Sequence, residues 1–180
     1  MRDLFQLWSS AFTNKQIHKI IECALRQPVQ KANIFSTESP MEVIRSSSIR
    51  WLSDEWIKKM LWEYVKKANI NAFNVDVKNQ VEIQFTEYTA EQSDHYDWHH
   101  DVHWSGETDF DRKISITLQL SDPKEYEGGD FEFDEINTNA DFKTKGTLLI
   151  FPSYLRHRVL PVTSGVRRSL VAWFWGNKWK

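Results

Sequence analysis

Residues 81–88 read Val81-Glu82-Ile83-Gln84-Phe85-Thr86-Glu87-Tyr88. Apolar and polar side chains alternate at period two, the signature of a half-buried strand. The stretch marks a change of regime, because upstream the apolar residues recur at helical spacing and from Val75 onward helices stop. Thr13-Asn14-Lys15-Gln16 is a T-x-x-Q capping box that opens a helix. Ile17, Ile20, Ile21, Ala24 and Leu25 give that helix one apolar face, and Pro28 ends it. Met41 to Leu52 reads as a strand region in which Arg45 and Arg50 are expected in solvent, with contact to an anionic ligand as the alternative. Ser53 is the expected cap of a second helix, with Trp56, Ile57, Met60, Leu61, Tyr64, Val65 and Ala68 on its buried side.

Downstream of residue 88 only strands are expected. Arg112 to Ser121 (RKISITLQLS) puts Ile114, Ile116, Leu118 and Leu120 on one face and Ser115, Thr117 and Gln119 on the other. Asp122 to Gly129 reads as a loop, Phe131 to Phe133 as a short strand, and Asn137 to Lys145 as polar connector. Gly146 to Phe151 is a buried strand halted by Pro152. A strand bearing His157 and Val159 runs to a turn at Ser164-Gly165, and Val166 to Trp175 closes the series. Helices followed by many short, evenly spaced strands predict a mostly β chain, a barrel or jelly roll with N-terminal helices packed on the outside.

Composition narrows the class. A length of 180 residues fits one domain with a full core, and nine tryptophans and eleven phenylalanines suit a sheet-rich interior. A formal charge of −2 argues against broad electrostatic binding to nucleic acid. Cys23 is the only cysteine and reads as a small packing residue, so neither an internal disulfide nor a cysteine-zinc cluster is expected. No stretch has the ~20 apolar residues of a membrane span, and Met1-Arg2-Asp3-Leu4 does not begin a signal peptide. The expectation is a cytoplasmic protein without a membrane partner.

The chemistry lies in Tyr96-Asp97-Trp98-His99-His100-Asp101-Val102-His103-Trp104. On a strand, His99 and Asp101 leave the same face. An imidazole and a carboxylate so placed are two thirds of a 2-His-1-carboxylate iron site. A lone H-x-D is equally at home on a solvated strand end, so a third donor is required. His157 supplies it from a distant strand, and ten residues later Arg167-x-Ser169 sets a guanidinium and a hydroxyl on one face, a receptor for a carboxylate. His95 reads as solvated, His100 points away from His99, and His103 and Trp104 are placed at the rim.

These motifs carry a resemblance. The ordered set His99-x-Asp101, His157 and Arg167-x-Ser169 resembles the iron(II)/2-oxoglutarate-dependent dioxygenases, in their prolyl 4-hydroxylase-like branch. Tyr96-Asp97-Trp98-His99-x-Asp101 is similar to that branch's Y-x-x-H-x-D. GTLLIFPSYLRHRVLPVTSGVRRSLVAWFW is similar to its G-x-L-L-x-F-P…H-x-V-x-P-V-x-x-G-x-R ending. The resemblance covers about Val81 to Gly176. It implies a double-stranded β-helix and a single dioxygenase domain, with residues 1–75 as helical support and variable strands and residues 76–180 as the catalytic core. His99, Asp101 and His157 would be the metal ligands, and Arg167 would pair with the distal carboxylate of 2-oxoglutarate. Ser169 and Tyr88 would assist, and Thr117 and Gln119 would line the cosubstrate pocket. The implied cofactors are Fe(II), 2-oxoglutarate and O2, with ascorbate as an accessory reductant. The implied reaction converts 2-oxoglutarate to succinate and CO2 while hydroxylating a substrate C–H bond. A peptidyl proline is the leading substrate. Arginine at 167, where collagen-type enzymes commonly carry lysine, resembles the oxygen-sensing enzymes and many bacterial and viral members. A free amino acid, small metabolite or nucleobase is the alternative substrate, and a silent jelly-roll binding module the alternative of another class.

Overall fold

The alternating stretch forms the middle of a two-sheet structure. The computed structural model describes residues 3–32, 34–35, 43–102, 104 and 108–180. In chain order the elements are β1 (Gln6–Trp8), α1 (Asn14–Leu25), β2 (Gln30–Lys31), β3 (Ile34–Phe35), β4 (Val43–Ser46), β5 (Ser48–Leu52) and α2 (Glu55–Ala68). Then come β6 (Val81–Thr89), β7 (His95–His99), β8 (Phe110–Gln119), β9 (Tyr126–Gly128), β10 (Phe131–Phe133), β11 (Leu148–Pro152), β12 (His157–Val159) and β13 (Val162–Asn177). The larger sheet runs β1-β11-β8-β13-β6-β5-β2 with β9 also on β13, and the smaller runs β10-β12-β7-β4-β3. Every pairing is antiparallel. A mostly β chain with two helices, consistent with a jelly roll, is what the alternation predicted.

Alternation on the larger sheet separates two interiors. Ile83, Phe85, Ile114, Leu118, Leu170 and Phe174 cluster with Ile17, Ile20 and Ala24 of α1 and Ile57, Leu61 and Val65 of α2. The in-between residues Gln84, Tyr88, Thr117, Arg167 and Ser169 line a pocket with residues of the smaller sheet. Burying one Leu, Ile or Phe side chain contributes roughly 1.5–3 kcal/mol. A one-residue slip of β6 would move Phe85 into the polar pocket and Gln84 under the helices, so the register is strongly specified.

Several local expectations need correction. The α1 capping box is complete, with Thr13 Oγ1 accepting from Gln16 N and Thr13 N donating to Gln16 Oε1. Its apolar face ends at Ala24, because Leu25 in the last turn is exposed. The cap of α2 is Asp54 rather than Ser53; its backbone carbonyl takes the first helical bonds and its side chain takes none. α2 runs on into a π-helical turn, Asn69–Phe73, which Asn69 closes by bonding both the N–H and the C=O of Val75. A 3-10 turn, Ala90–Gln92, also follows β6, so helical geometry does not stop altogether at residue 75. The loop expected over Asp122 to Gly129 holds β9, which pairs with the start of β13. The turn expected at Ser164-Gly165 is a bulged bend inside β13. There Gly165 has φ +69, and a Cβ would come within 2.1 Å of the Glu125 carbonyl oxygen. Met41 and Glu42 of the expected strand region, and His103, lie outside the described residues. No helix among the described residues is long and apolar enough to cross a membrane.

Candidate active site

The ladder between β7 and β12 brings the distant histidines together, with His157 directly opposite His99. Asp101 lies just past the end of β7, where its N–H donates to the Ser153 carbonyl at 3.0 Å. His99 Nδ1 is 2.7 Å from the Asp97 carbonyl oxygen and His157 Nδ1 is 2.9 Å from that of Leu155. A carbonyl only accepts, so each Nδ1 carries the proton and each Nε2 presents a lone pair. Those Nε2 atoms lie 3.7 and 3.6 Å from Asp101 Oδ1 and Oδ2, and the donor atoms of all three residues fall within 4.8 Å of one another. These separations are too long for hydrogen bonds and leave room for a first-row cation, which sits about 2.0–2.2 Å from such donors.

Electrostatics suit the same use. Burial, reinforced by the neighbouring His157, lowers the His99 pKa to about 3, which keeps its imidazole neutral. Burial alone would raise the Asp101 carboxyl. His157, His99 and the Ser115 hydroxyl outweigh it and hold the group below the usual carboxylate range. Ser115 Oγ donates to Asp101 Oδ2 at 2.6 Å and lies 2.9 Å from Ser153 Oγ. The Tyr96 ring stacks on His99, centroid to centroid 3.4 Å, and burial pushes its phenol up to about 12, so it stays protonated.

The three donors open on a pocket of about 430 Å³, mouth included, which Arg167 also lines. Arg167 is 3 % exposed, faces Tyr88 across the β13–β6 ladder, and holds its guanidinium 5.6 Å from the Tyr88 ring. Its Nη1 lies 3.5 Å from Ser169 Oγ. Gly129 makes room for it, because a Cβ there would fall 2.8 Å from Arg167 Cδ. Tyr88, Ser169 and Thr117 all line this pocket. Gln119 reaches it only indirectly, donating to the Tyr126 hydroxyl at 3.0 Å, and Tyr126 lies near the Arg167 charge. A wider cleft lined by Trp98, Phe133 and Phe142 shares only Phe131 with the pocket and has no histidine.

Some contributors escaped the sequence reading. Arg45, expected in solvent with an anionic ligand as the alternative, is 9 % exposed and lines the pocket, because β4 pairs with β7 and sets Arg45 opposite Tyr96. Tyr126 and Ser153 carry no motif and are recruited by pairing and packing alone. His95, also read as solvated, instead bridges the carbonyls of Ser93 and Val43. Arg50 is ion-paired with Glu87. His100 does point away from the cluster, with Nδ1 on the Tyr154 carbonyl.

Two imidazoles and a carboxylate beside a deep, buried arginine define a candidate non-haem iron site within a two-sheet fold. The chain belongs to the 2OG-Fe(II) oxygenase superfamily, whose family model matches residues 83–175. It is 44% identical over 87 residues to a PKHD-type hydroxylase of Synechococcus sp. (strain CC9311), covering 47% of this chain and 38% of that protein. The chain thus spans well under half the length of that curated relative. Among solved structures it is similar to the viral collagen prolyl hydroxylase of Paramecium Bursaria Chlorella virus-1 in its 2OG complex. That likeness has a TM-score of 0.72, 17% identity, and 97% coverage of both chains. A prolyl hydroxylase of Trichoplax adhaerens, in complex with a hypoxia inducible factor peptide fragment, is similar at TM-score 0.66 and 16% identity, covering 96% of this chain and 84% of that one.

Proposed function

We propose that this chain is an iron(II)/2-oxoglutarate-dependent hydroxylase acting on a C–H bond, with a peptidyl proline as the leading substrate. The observation that carries the reading is the convergence of His99, Asp101 and His157 within 4.8 Å in a pocket that the buried Arg167 also lines. The donor set fits iron(II), since three protein ligands on one face leave positions for a 2-oxo acid and dioxygen. When bound, iron with 2-oxoglutarate and O2 supplies the oxidation that yields succinate, CO2 and a hydroxylated carbon.

The protein's part is positioning and charge. His99 and His157 present Nε2 because backbone carbonyls hold their Nδ1–H groups, and Ser115 orients Asp101. Arg167 pairs with the distal carboxylate of 2-oxoglutarate, assisted by Ser169 and Tyr88, while Tyr126, held by Gln119, lies near the guanidinium. Thr117 lines the middle of the pocket. In this reading the two sheets are a double-stranded β-helix with helices outside, and residues 1–180 form one dioxygenase domain. The peptide in the Trichoplax complex supports a peptide substrate, and the PKHD-type relatives support hydroxylation. Intact His99, Asp101, His157 and Arg167 weigh against a silent binding module.

The test is an anaerobic titration with iron(II) and 2-oxoglutarate, followed by succinate release in air with proline-rich peptides, free proline and nucleosides. A metal-to-ligand absorbance band and peptide-stimulated succinate are expected. Absence of the band overturns the cofactor assignment, and stimulation by another substrate class alone overturns the peptidyl proline.

A further inference from the structure

We infer that Arg45 receives a carboxylate of the substrate, so that the carbon hydroxylated here belongs to a molecule bearing a negative charge close by. The inference rests on the iron and 2-oxoglutarate reading of the same pocket and extends it to the substrate.

Arginines elsewhere in the sheets set the contrast. Arg50 and Arg168 both pair with Glu87, Arg112 pairs with Glu82, and Arg158 pairs with Glu132. Among the described arginines of the two sheets, the two without a carboxylate are Arg45 and Arg167, and both line the pocket. Among the described residues the partners of Arg45 are all neutral. Its Nη2 donates to Gln84 Oε1 at 2.7 Å, its Nε donates to Ser47 Oγ at 3.1 Å, and its guanidinium lies 4.6 Å from the centre of the Tyr96 ring. Asp94, also buried, has its oxygens taken by Ser46 and by the backbone and hydroxyl of Thr89. Ser46 is the next residue along β4, and alternation turns it away from the Arg45 face.

A buried guanidinium without a counter-charge is costly to keep. Charge balance says which ligand would compensate it. With iron(II) and 2-oxoglutarate in place, the metal and Arg167 cancel Asp101 and the two cosubstrate carboxylates. Among the described residues lining the pocket, Arg45 remains as the single uncompensated charge. One carboxylate matches it and suits the fork geometry of guanidinium, whereas a phosphate monoester brings nearly two negative charges. The carboxylate has two chemical sources, an acidic side chain beside the target residue in a peptide, or the terminal carboxyl of the target residue itself.

Equilibrium binding to the anaerobic enzyme loaded with iron(II) and 2-oxoglutarate tests this, read by tryptophan fluorescence. N-acetylproline and its amide form one probe pair. Capped peptides with aspartate or asparagine beside proline form the other. In at least one pair the acid should bind about tenfold or more tightly than its neutral twin. Arg45→Gln should erase that preference and Arg45→Lys should retain part of it. The pair that discriminates identifies the source of the carboxylate. Equal affinity within both pairs, no binding of any probe, or a preference that survives in Arg45→Gln overturns the proposal. A wild type that gives no 2-oxoglutarate band fails at the earlier step, which separates the two outcomes.

Discussion

His157 stands directly across the β12–β7 ladder from His99, with ring centroids 4.2 Å apart and planes tilted by 57°. A backbone pairing therefore sets the spacing of the two nitrogen donors, and Asp101 completes them from the strand end. His99→Ala and Asp101→Ala should each abolish the iron–2-oxoglutarate band and bring succinate release to background. A band that persists in both variants would mean that the metal is held elsewhere.

Arg167→Ala removes the charge-assisted pair proposed with 2-oxoglutarate, worth about 1.5–3 kcal/mol. The KM for 2-oxoglutarate should rise at least about tenfold, while iron affinity, measured by competition with a chelator, changes little. An unchanged KM would assign the anchor to another residue.

Ser115 touches the metal site only through Asp101 Oδ2. Ser115→Ala should weaken iron binding by about tenfold, the usual scale for losing a bond that orients a ligand. The affinity for 2-oxoglutarate at saturating iron should stay close to wild type, which distinguishes this variant from Arg167→Ala.

Acid should destabilise the metal-free protein. The folded pKa of His99, about 3, lies below its ordinary 6.5, so the unfolded chain binds the proton first. Stability then falls as pH drops from 6.5 toward 3. Asp101 acts in the same direction lower down, contributing stability above 3.8 that is lost as pH falls through its depressed folded value. Thermal melts of the metal-free protein across this range should show a declining Tm. His99→Gln should flatten the upper part of that decline, and an unaltered slope would assign the sensitivity to other groups.

Much of this was legible because strand periodicity is local. His99 and Asp101 share a face by spacing alone, as do Arg167 and Ser169, and the Ser115, Thr117 and Gln119 face does turn toward polar surroundings. Pairing between distant strands is not local. Nothing near Arg45 announces that β4 will lie beside β7, and among serines an arginine reads as solvated. Asp54 displaced Ser53 at the N-cap because the helix begins one residue later, and no side chain caps it there. Ser164-Gly165 has the composition of a turn, yet its left-handed glycine serves a bend that lets one strand change partners from β9 to β6 and β8.

That long strand has a further consequence. β13 carries Arg167 at the floor of the pocket, Ser169 and Val171 along its wall, and Trp173 beside Asp101, one inward residue after another. It works as a ruler graduated every second residue, with 2-oxoglutarate proposed to span its lower marks. Drift on this strand would disturb cosubstrate and metal together. A change of substrate that leaves both in place would have to come from pocket residues off this strand, such as Arg45 on β4.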